Sequence, residues 1–167
     1  AVVSDIHGNL PALLAVVEDF TRRGVDQVVN LGDSLSGPLL PKETAHYLMA
    51  QQDWVHLAGN HERQVLPLHP KSGASDSYTR SQLSSTEFEW MASLPFVRPL
   101  NDYVLLCHGT PTSDITYLLQ TADQSATPAA RSPSVPTDAC TRTVATAARA
   151  ATRTKTVRTS RRCSAKC

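Results

Sequence analysis

The sequence predicts an α/β layered domain over residues 1–123, and three observations predict it. Short apolar runs alternate with amphipathic stretches, as strand and helix units do in layered domains. Four of those apolar runs end in an Asp, Asn or His beside a glycine: "AVVSDIHG", "DQVVNLGD", "DWVHLAGNHE" and "DYVLLCHG". Charge divides the chain where the pattern does, since residues 1–123 hold 7 Lys+Arg against 14 Asp+Glu and residues 124–167 hold 9 against 1.

Each element has a local reason. "AVVSD" is the first strand. Asn9 is placed to cap a helix, Pro11 is tolerated in its first turn, and Leu10, Leu13, Leu14, Val17 and Phe20 recur at helical spacing as one apolar stripe. Gly24 stops it. "DQVVNLGD" is the second strand, and "GPLLP" turns the chain into a helix around residues 41–51. "DWVHLAGNHE" holds the third strand, and the polar stretch "HPKSGASDS" is a surface loop. Ser84 and Glu87 form a capping box for a short helix carrying Phe88, Trp90 and Met91, which Pro95 ends. "DYVLLCHGTP" is a fourth buried strand and "SDITYLLQTA" the helix after it. Trp54 and Trp90 belong to the core, His46, His56 and His69 to structure or surface, and Cys107 points to the opposite face of its strand from His108.

From residue 124 the text changes character. Ten Ala, nine Thr and nine Lys+Arg accompany only three larger aliphatics, Val135, Val144 and Val157, so no core and no periodicity survive. The expected organisation is therefore one domain, 1–123, and a basic, low-complexity, disordered tail, 124–167. The tail's charge supports non-specific, salt-dependent attraction to phosphates, but without interleaved aromatics or a folded module it implies no specific nucleic acid.

Bulk properties exclude other classes. Apolar residues are 41% and charged residues 19% of the chain, and no run approaches the roughly 18 apolar residues that span a bilayer. No membrane partner is expected. Nothing resembling a secretory leader stands ahead of the first strand, so a cytoplasmic location is the expectation. The four cysteines, at 107, 140, 163 and 167, are too unevenly placed for a disulfide framework and read as thiols.

In open α/β sheets, ligands bind beyond the carboxyl ends of the strands, where loops converge. Asp5 and His7 straddle one residue at such an end and offer a hard oxygen and an imidazole nitrogen to one point. That donor mixture suits Mn, Fe, Ni or Zn better than Ca or Mg.

Strand-D-x-H-G-N, strand-G-D, strand-G-N-H-E and strand-C-H-G, in that order, resemble the calcineurin-like metallophosphoesterase superfamily, and within it the small bacterial phosphodiesterase-type members. The resemblance covers residues 1 to about 122. It implies a four-layer α/β/β/α sandwich with two divalent metal ions, Mn foremost and Fe, Ni or Zn as alternatives. Asp5 and His7 would bind the first metal, Asp33 would bridge both, and Asn60 with His108 would bind the second. His61 would face the phosphate, stabilising charge or protonating the leaving group. The implied reaction is hydrolysis of a phosphomonoester or phosphodiester, small-molecule or nucleotide, by a hydroxide held between the metals. Glu62 and Arg63 are either substrate or supporting contacts, or an ion pair at a helix start.

The family pattern continues with a G-H-x-H strand whose two histidines complete the two metals, whereas this chain has no histidine after His108. The strands that fill out the second sheet are missing with it, which would leave one face of the first sheet bare. Activity is expected to be impaired by these losses, and the alternative reading is a non-catalytic, weakly metal-binding remnant. Truncation, or an out-of-frame reading of a GC-rich gene from residue 124, would account for the break. Replacement of the imidazoles by Cys140, Cys163 or Cys167 is not expected.

Overall fold

A computed structural model of the chain describes residues 1–67 and 72–117 in full and residues 143–146 by their backbone. The first half is a β/α alternation. β1 (Val2–Val3) leads to α1 (Leu10–Arg22), β2 (Val29–Asn30) to α2 (Pro41–Ala50), and β3 (Val55–His56) to α3 (Asn60–Val65). The three strands form a parallel sheet in the order β1-β2-β3, with Val2 opposite Val29 and Val29 opposite Val55. Parallel strands need crossovers, and α1 and α2 supply them.

Helix ends follow their sequence signals. The Asn9 side chain accepts from the Ala12 amide at 3.2 Å, and Pro11 sits in the first turn. Arg23 closes α1, and Gly24 takes the left-handed conformation (φ +68°) that reverses the chain. α5 (Ser85–Ser93) begins at the expected box, but Glu87 dominates it: its carboxylate accepts from both the amide (2.7 Å) and the hydroxyl (2.6 Å) of Ser84.

Apolar side chains divide by face. Val3, Leu13, Phe20, Val28, Leu48 and Met91 form the core between the sheet and its helices. Trp54 and Trp90 pack partly buried against it, as expected of core aromatics. Val29, Leu31 and Leu57 face the other way and close on Leu106. That alternation explains why "VVNL" is almost unbroken in hydrophobicity: a strand covered on both faces has no polar side.

Leu106 belongs to a second sheet, which corrects the expectation of a bare face. β4 (Val97–Asn101) pairs antiparallel with β5 (Val104–Cys107), which lies between β4 and β6 (Thr143–Thr146). β6 runs parallel to β5, pairing Val104 with Thr143 and Cys107 with Thr146. Those four residues are strand where composition suggested featureless chain. The rest of 124–167 lies outside the described residues, as does His69.

Other expectations change as well. β4 has no clear sequence signal, because its residues are mostly exposed and Pro99 interrupts it. The stretch assigned to a surface loop contains the start of α4 (Ala74–Gln82). Its buried residues, Asp76 and Thr79, are polar, so no apolar stripe marks it. Residues 113–117 are turns, held by a Thr110–Ser113 bridge, and not the start of a helix; residues 118–122 lie outside the described residues. No helix among the described residues is long and apolar enough to cross a membrane.

Candidate metal centre

The strand ends are built by turns that continue the sheet's hydrogen bonding. Asp5 N–H donates to Gly32 O (3.0 Å), His7 N–H to Asp33 O (3.0 Å) and Gly8 N–H to Ser34 O (2.9 Å). The first two loops are thereby zipped side by side. Among the described residues only Asp5 (φ +55°), His7 (φ +50°) and Asp33 (φ +55°) are non-glycine residues in the left-handed region. Such conformations cost on the order of 1–3 kcal/mol each and cluster where function requires them. All three are candidate ligands.

The Gly32–Asp33 turn meets the Gly59–Asn60 turn backbone to backbone. A Cβ on Gly32 would lie 2.3 Å from Gly59 N, and one on Gly59 would lie 2.3 Å from Asp33 Oδ1. Only glycine fits at either position. His61 N–H then donates to Asp33 Oδ1 at 2.9 Å, so the first turn of α3 orients the carboxylate.

All three imidazoles are fixed through Nδ1–H. His7 donates to Ser36 O (2.6 Å), His108 to Leu31 O (2.9 Å) and His61 to Asp76 Oδ1 (2.8 Å). Each Nε2 faces the cluster and, in the neutral ring, offers its lone pair there, the arrangement that metal-binding histidines use. His108 Nε2 lies 3.3 Å from Asp33 Oδ2 and 3.2 Å from Asn60 Oδ1. With the Asn60 amide turned over, its nitrogen would instead donate to His108 Nε2 and Asp33 Oδ2, both at 3.2 Å. Only the first orientation would let an amide oxygen, a carboxylate oxygen and an imidazole nitrogen converge on a cation held at this point.

Ligand atoms of Asp5, Asp33 and His108 lie within 4.8 Å of one another, as do those of His7, Asp33 and His61. Asp33 is common to both groups. These groups report how closely the ligand atoms lie and do not divide the residues between two cations. Asp5 also lies near His7, with Oδ1 3.8 Å from Nε2. The rings of His7 and His61 meet edge-on with centroids 5.2 Å apart. All six residues singled out from the sequence thus fall in one cluster, and the mixture of carboxylate, amide and imidazole donors fits borderline divalent cations.

The charges are coupled. Burial works against the Asp5 carboxylate, yet His7, the Ser4 hydroxyl and His108 together hold it below the usual range. Asp5 raises His7 in return, against burial and with help from the Ser36 carbonyl. Burial also opposes a charged His108, but Asp33 outweighs it and lifts the imidazole to about 9.

Several supporting residues had no clear sequence signal. Asp76, on α4, is 6% exposed and accepts from His61 and from the Ser36 hydroxyl. Thr79 receives the Gly37 amide at 3.1 Å. Arg63 forms a two-pronged pair with Asp114 (2.7 and 2.9 Å), tying α3 to the 110–117 turn and not to Glu62. Glu62 is buried and accepts backbone amides, so it is neither a helix-start ion pair nor a substrate contact. Burial and the nearby Asp33 raise its pKa, while those amides act in the opposite direction. A cleft opens over Asp5, Asp33, Asn60 and His108, walled by Asp114, Ile115 and Tyr117.

His46, His56 and Cys107 are structural. His46 Nε2 pairs with Glu87 at 2.7 Å. His56 stacks on Trp54, meets Trp90 edge-on, accepts from Asn30 (3.3 Å) and donates to Gln51 O (3.2 Å). Cys107 is fully buried, and burial raises its thiol to about 11.

Comparison with known proteins agrees with this architecture. The chain is 30% identical over 120 residues to the uncharacterized protein MJ0912 of Methanocaldococcus jannaschii, covering 66% of this chain and 49% of that protein. A metallophosphoesterase from Sphaerobacter thermophilus superposes with a TM-score of 0.60 at 29% identity, covering 70% of this chain and 49% of that one. Hypothetical protein PH1004 from Pyrococcus horikoshii OT3 shares the fold, with a TM-score of 0.58 at 20% identity over 75% of this chain and 60% of that one. The chain spans about half the length of the first two relatives. The family model for calcineurin-like phosphoesterases matches residues 1–131, past the change in composition at 124. A match over that much of the chain, with the paired strand-end turns folded as described, places it: the chain belongs to the calcineurin-like phosphoesterase family.

Proposed function

We propose that the chain is a metal-dependent phosphoesterase acting on phosphomonoesters or phosphodiesters, small-molecule or nucleotide, through a dinuclear centre. The observation that carries this reading is the Asp33 carboxylate, common to two groups of convergent donors at the strand ends. Asp5 and His7 would hold one cation and Asn60 and His108 the other, with the Asp33 carboxylate shared between the two groups to offset their repulsion. Divalent ions, Mn foremost and Fe, Ni or Zn as alternatives, supply Lewis acidity there: they lower the pKa of water and neutralise phosphoryl charge. The Asn60 amide adds a ligand without reducing the positive charge that an anionic substrate needs.

His61 is the residue proposed to touch the substrate. With Nδ1–H held by Asp76, its Nε2 is the atom that carries a proton to the leaving oxygen or donates to a phosphoryl oxygen. The cleft above Asp5, Asp33, Asn60 and His108 gives an ester access to the cluster. The proposed scaffold is a four-layer α/β/β/α sandwich. Residues 1–123 carry the candidate site of the phosphoesterase portion, and the basic stretch 124–167 lends β6 to the second sheet.

A second reading takes the six residues gathered at the strand ends as the whole donor set of residues 1–123. The chain would then be a non-catalytic relative that binds metal weakly. Hydrolysis of bis-p-nitrophenyl phosphate and p-nitrophenyl phosphate with added Mn²⁺, by this chain and by Asp33→Asn, decides between them. Turnover that Asp33→Asn lowers by at least about 100-fold supports the enzyme. Equal residual turnover with and without the substitution supports the remnant.

A further inference from the structure

Glu62 is 2% exposed, and no cation among the described residues accompanies it, because the neighbouring Arg63 turns to Asp114. Burying a carboxylate in that way is expensive unless its oxygens are saturated with donors. They are, and all the donors come from one place. Oε2 accepts from Asp33 N (2.8 Å) and Gly59 N (2.7 Å), while Oε1 accepts from Ser34 N (2.7 Å). Two of these amides belong to the turn that carries Asp33 and the third precedes Asn60. The same turns are in backbone contact at Gly32 and Gly59, where no side chain could be accommodated.

We infer that Glu62 is a positioning residue whose carboxylate clamps the Gly32–Asp33 turn to the Gly59–Asn60 turn, setting the separation between the donor atoms of Asp33 and Asn60. Glu62 braces the left-handed backbone at Asp33 from the α3 side, while the first loop donates to the Asp33 carbonyl. The amides of Asp33 and Ser34 sit in a turn where neither strand ladder uses them, and without Glu62 they would be buried without an acceptor. The inference deepens the metal-site reading and rests on it for its consequence, though the clamp itself can be judged without metal.

The test is Glu62→Gln in the full chain, with Glu87→Gln as control. Glu87 is another carboxylate 2% exposed, but it serves α5 and not the candidate site. An amide at position 62 keeps the shape, yet turns an NH₂ group toward a backbone N–H. Two quantities are read: hydrogen exchange at the amides of Asp33, Ser34 and Gly59, and Mn²⁺ affinity by calorimetry. The expected result is strand-like protection of the three amides in the unsubstituted chain and loss of that protection in Glu62→Gln. Mn²⁺ binding should weaken about 10–100-fold in Glu62→Gln and stay unchanged in Glu87→Gln.

Free exchange of the three amides in the unsubstituted chain overturns the clamp even if Glu62→Gln fails to fold. Unchanged protection in a folded Glu62→Gln also overturns it. Lost protection with unchanged Mn²⁺ affinity, or equal weakening in Glu87→Gln, overturns the positioning role. Protected amides in a chain that binds no Mn²⁺ support the clamp and sink the metal-site reading instead.

Discussion

The Nδ1–H of His61 donates to Asp76 Oδ1 at 2.8 Å, joining the first turn of α3 to a carboxylate on α4 that the Ser36 hydroxyl also reaches. His61 therefore has one tautomer and one ring orientation. Asp76→Asn removes the charge and lets the ring turn or change tautomer. If His61 protonates the leaving group, hydrolysis of alkyl phosphate esters, whose leaving groups need a proton, should fall by about 100-fold. Hydrolysis of p-nitrophenyl esters, which leave without help, should change little. A uniform loss across both ester classes would mean that Asp76 supports the fold and not proton transfer.

His108 predicts proton release on metal binding. Burial opposes its charge, but Asp33 lifts it to about 9, so the metal-free chain holds an imidazolium at pH 7.5, whereas a metal ligand must be neutral. Binding should release close to one proton from His108, and affinity should rise with pH until about 9. In the metal-free chain the sign is opposite. A raised pKa stabilises fully below the unfolded imidazole value of about 6.5, and the contribution disappears as pH rises through 9. Calorimetry of Mn²⁺ binding in buffers of different ionisation enthalpy reads the proton count. A binding enthalpy that does not depend on buffer would refute the prediction.

Glu87 predicts an acid-labile joint between α2 and α5. Burial works against its charge, yet Ser84 and His46 hold its pKa down to about 2. A lowered carboxylate stabilises fully above its unfolded value of about 4.3 and loses that contribution as pH falls towards 2. Glu87→Gln should cost on the order of 2 kcal/mol at pH 7, with the gap from the unsubstituted chain closing between pH 4.5 and 2. Urea midpoints across that range measure it, and a gap independent of pH would contradict the assigned cause.

The candidate site was largely legible because its residues sit where pattern stops. Asp5, His7, Asp33, Asn60, His61 and His108 each lie where an apolar run gives way to a turn that contains a glycine, and the structure gathers all six into one cluster. How near the ligand atoms of Asp5, His7, Asp33, His61 and His108 come to one another was not legible, because it depends on how loops and two sheets pack, which no spacing encodes. α4 was missed because its buried residues are Asp76 and Thr79, polar side chains bonded to the loop they brace. β4 was missed because its exposed, proline-containing stretch acquires strand geometry only by pairing with β5.

Glu62 marks the boundary between the two kinds of knowledge. The sequence by itself determined the β/α alternation, the caps of α1 and α5, the apolar faces and the residue types at each strand end, since these depend on local periodicity and backbone preference. Tertiary structure alone decided that Glu62 would accept three backbone amides from two turns, that Asp76 would hold His61, and that Leu106 would cover Val29, Leu31 and Leu57. Those contacts join residues distant in the chain, and their energy comes from burial and from amides with no other acceptor. It exists only once the loops have been brought together.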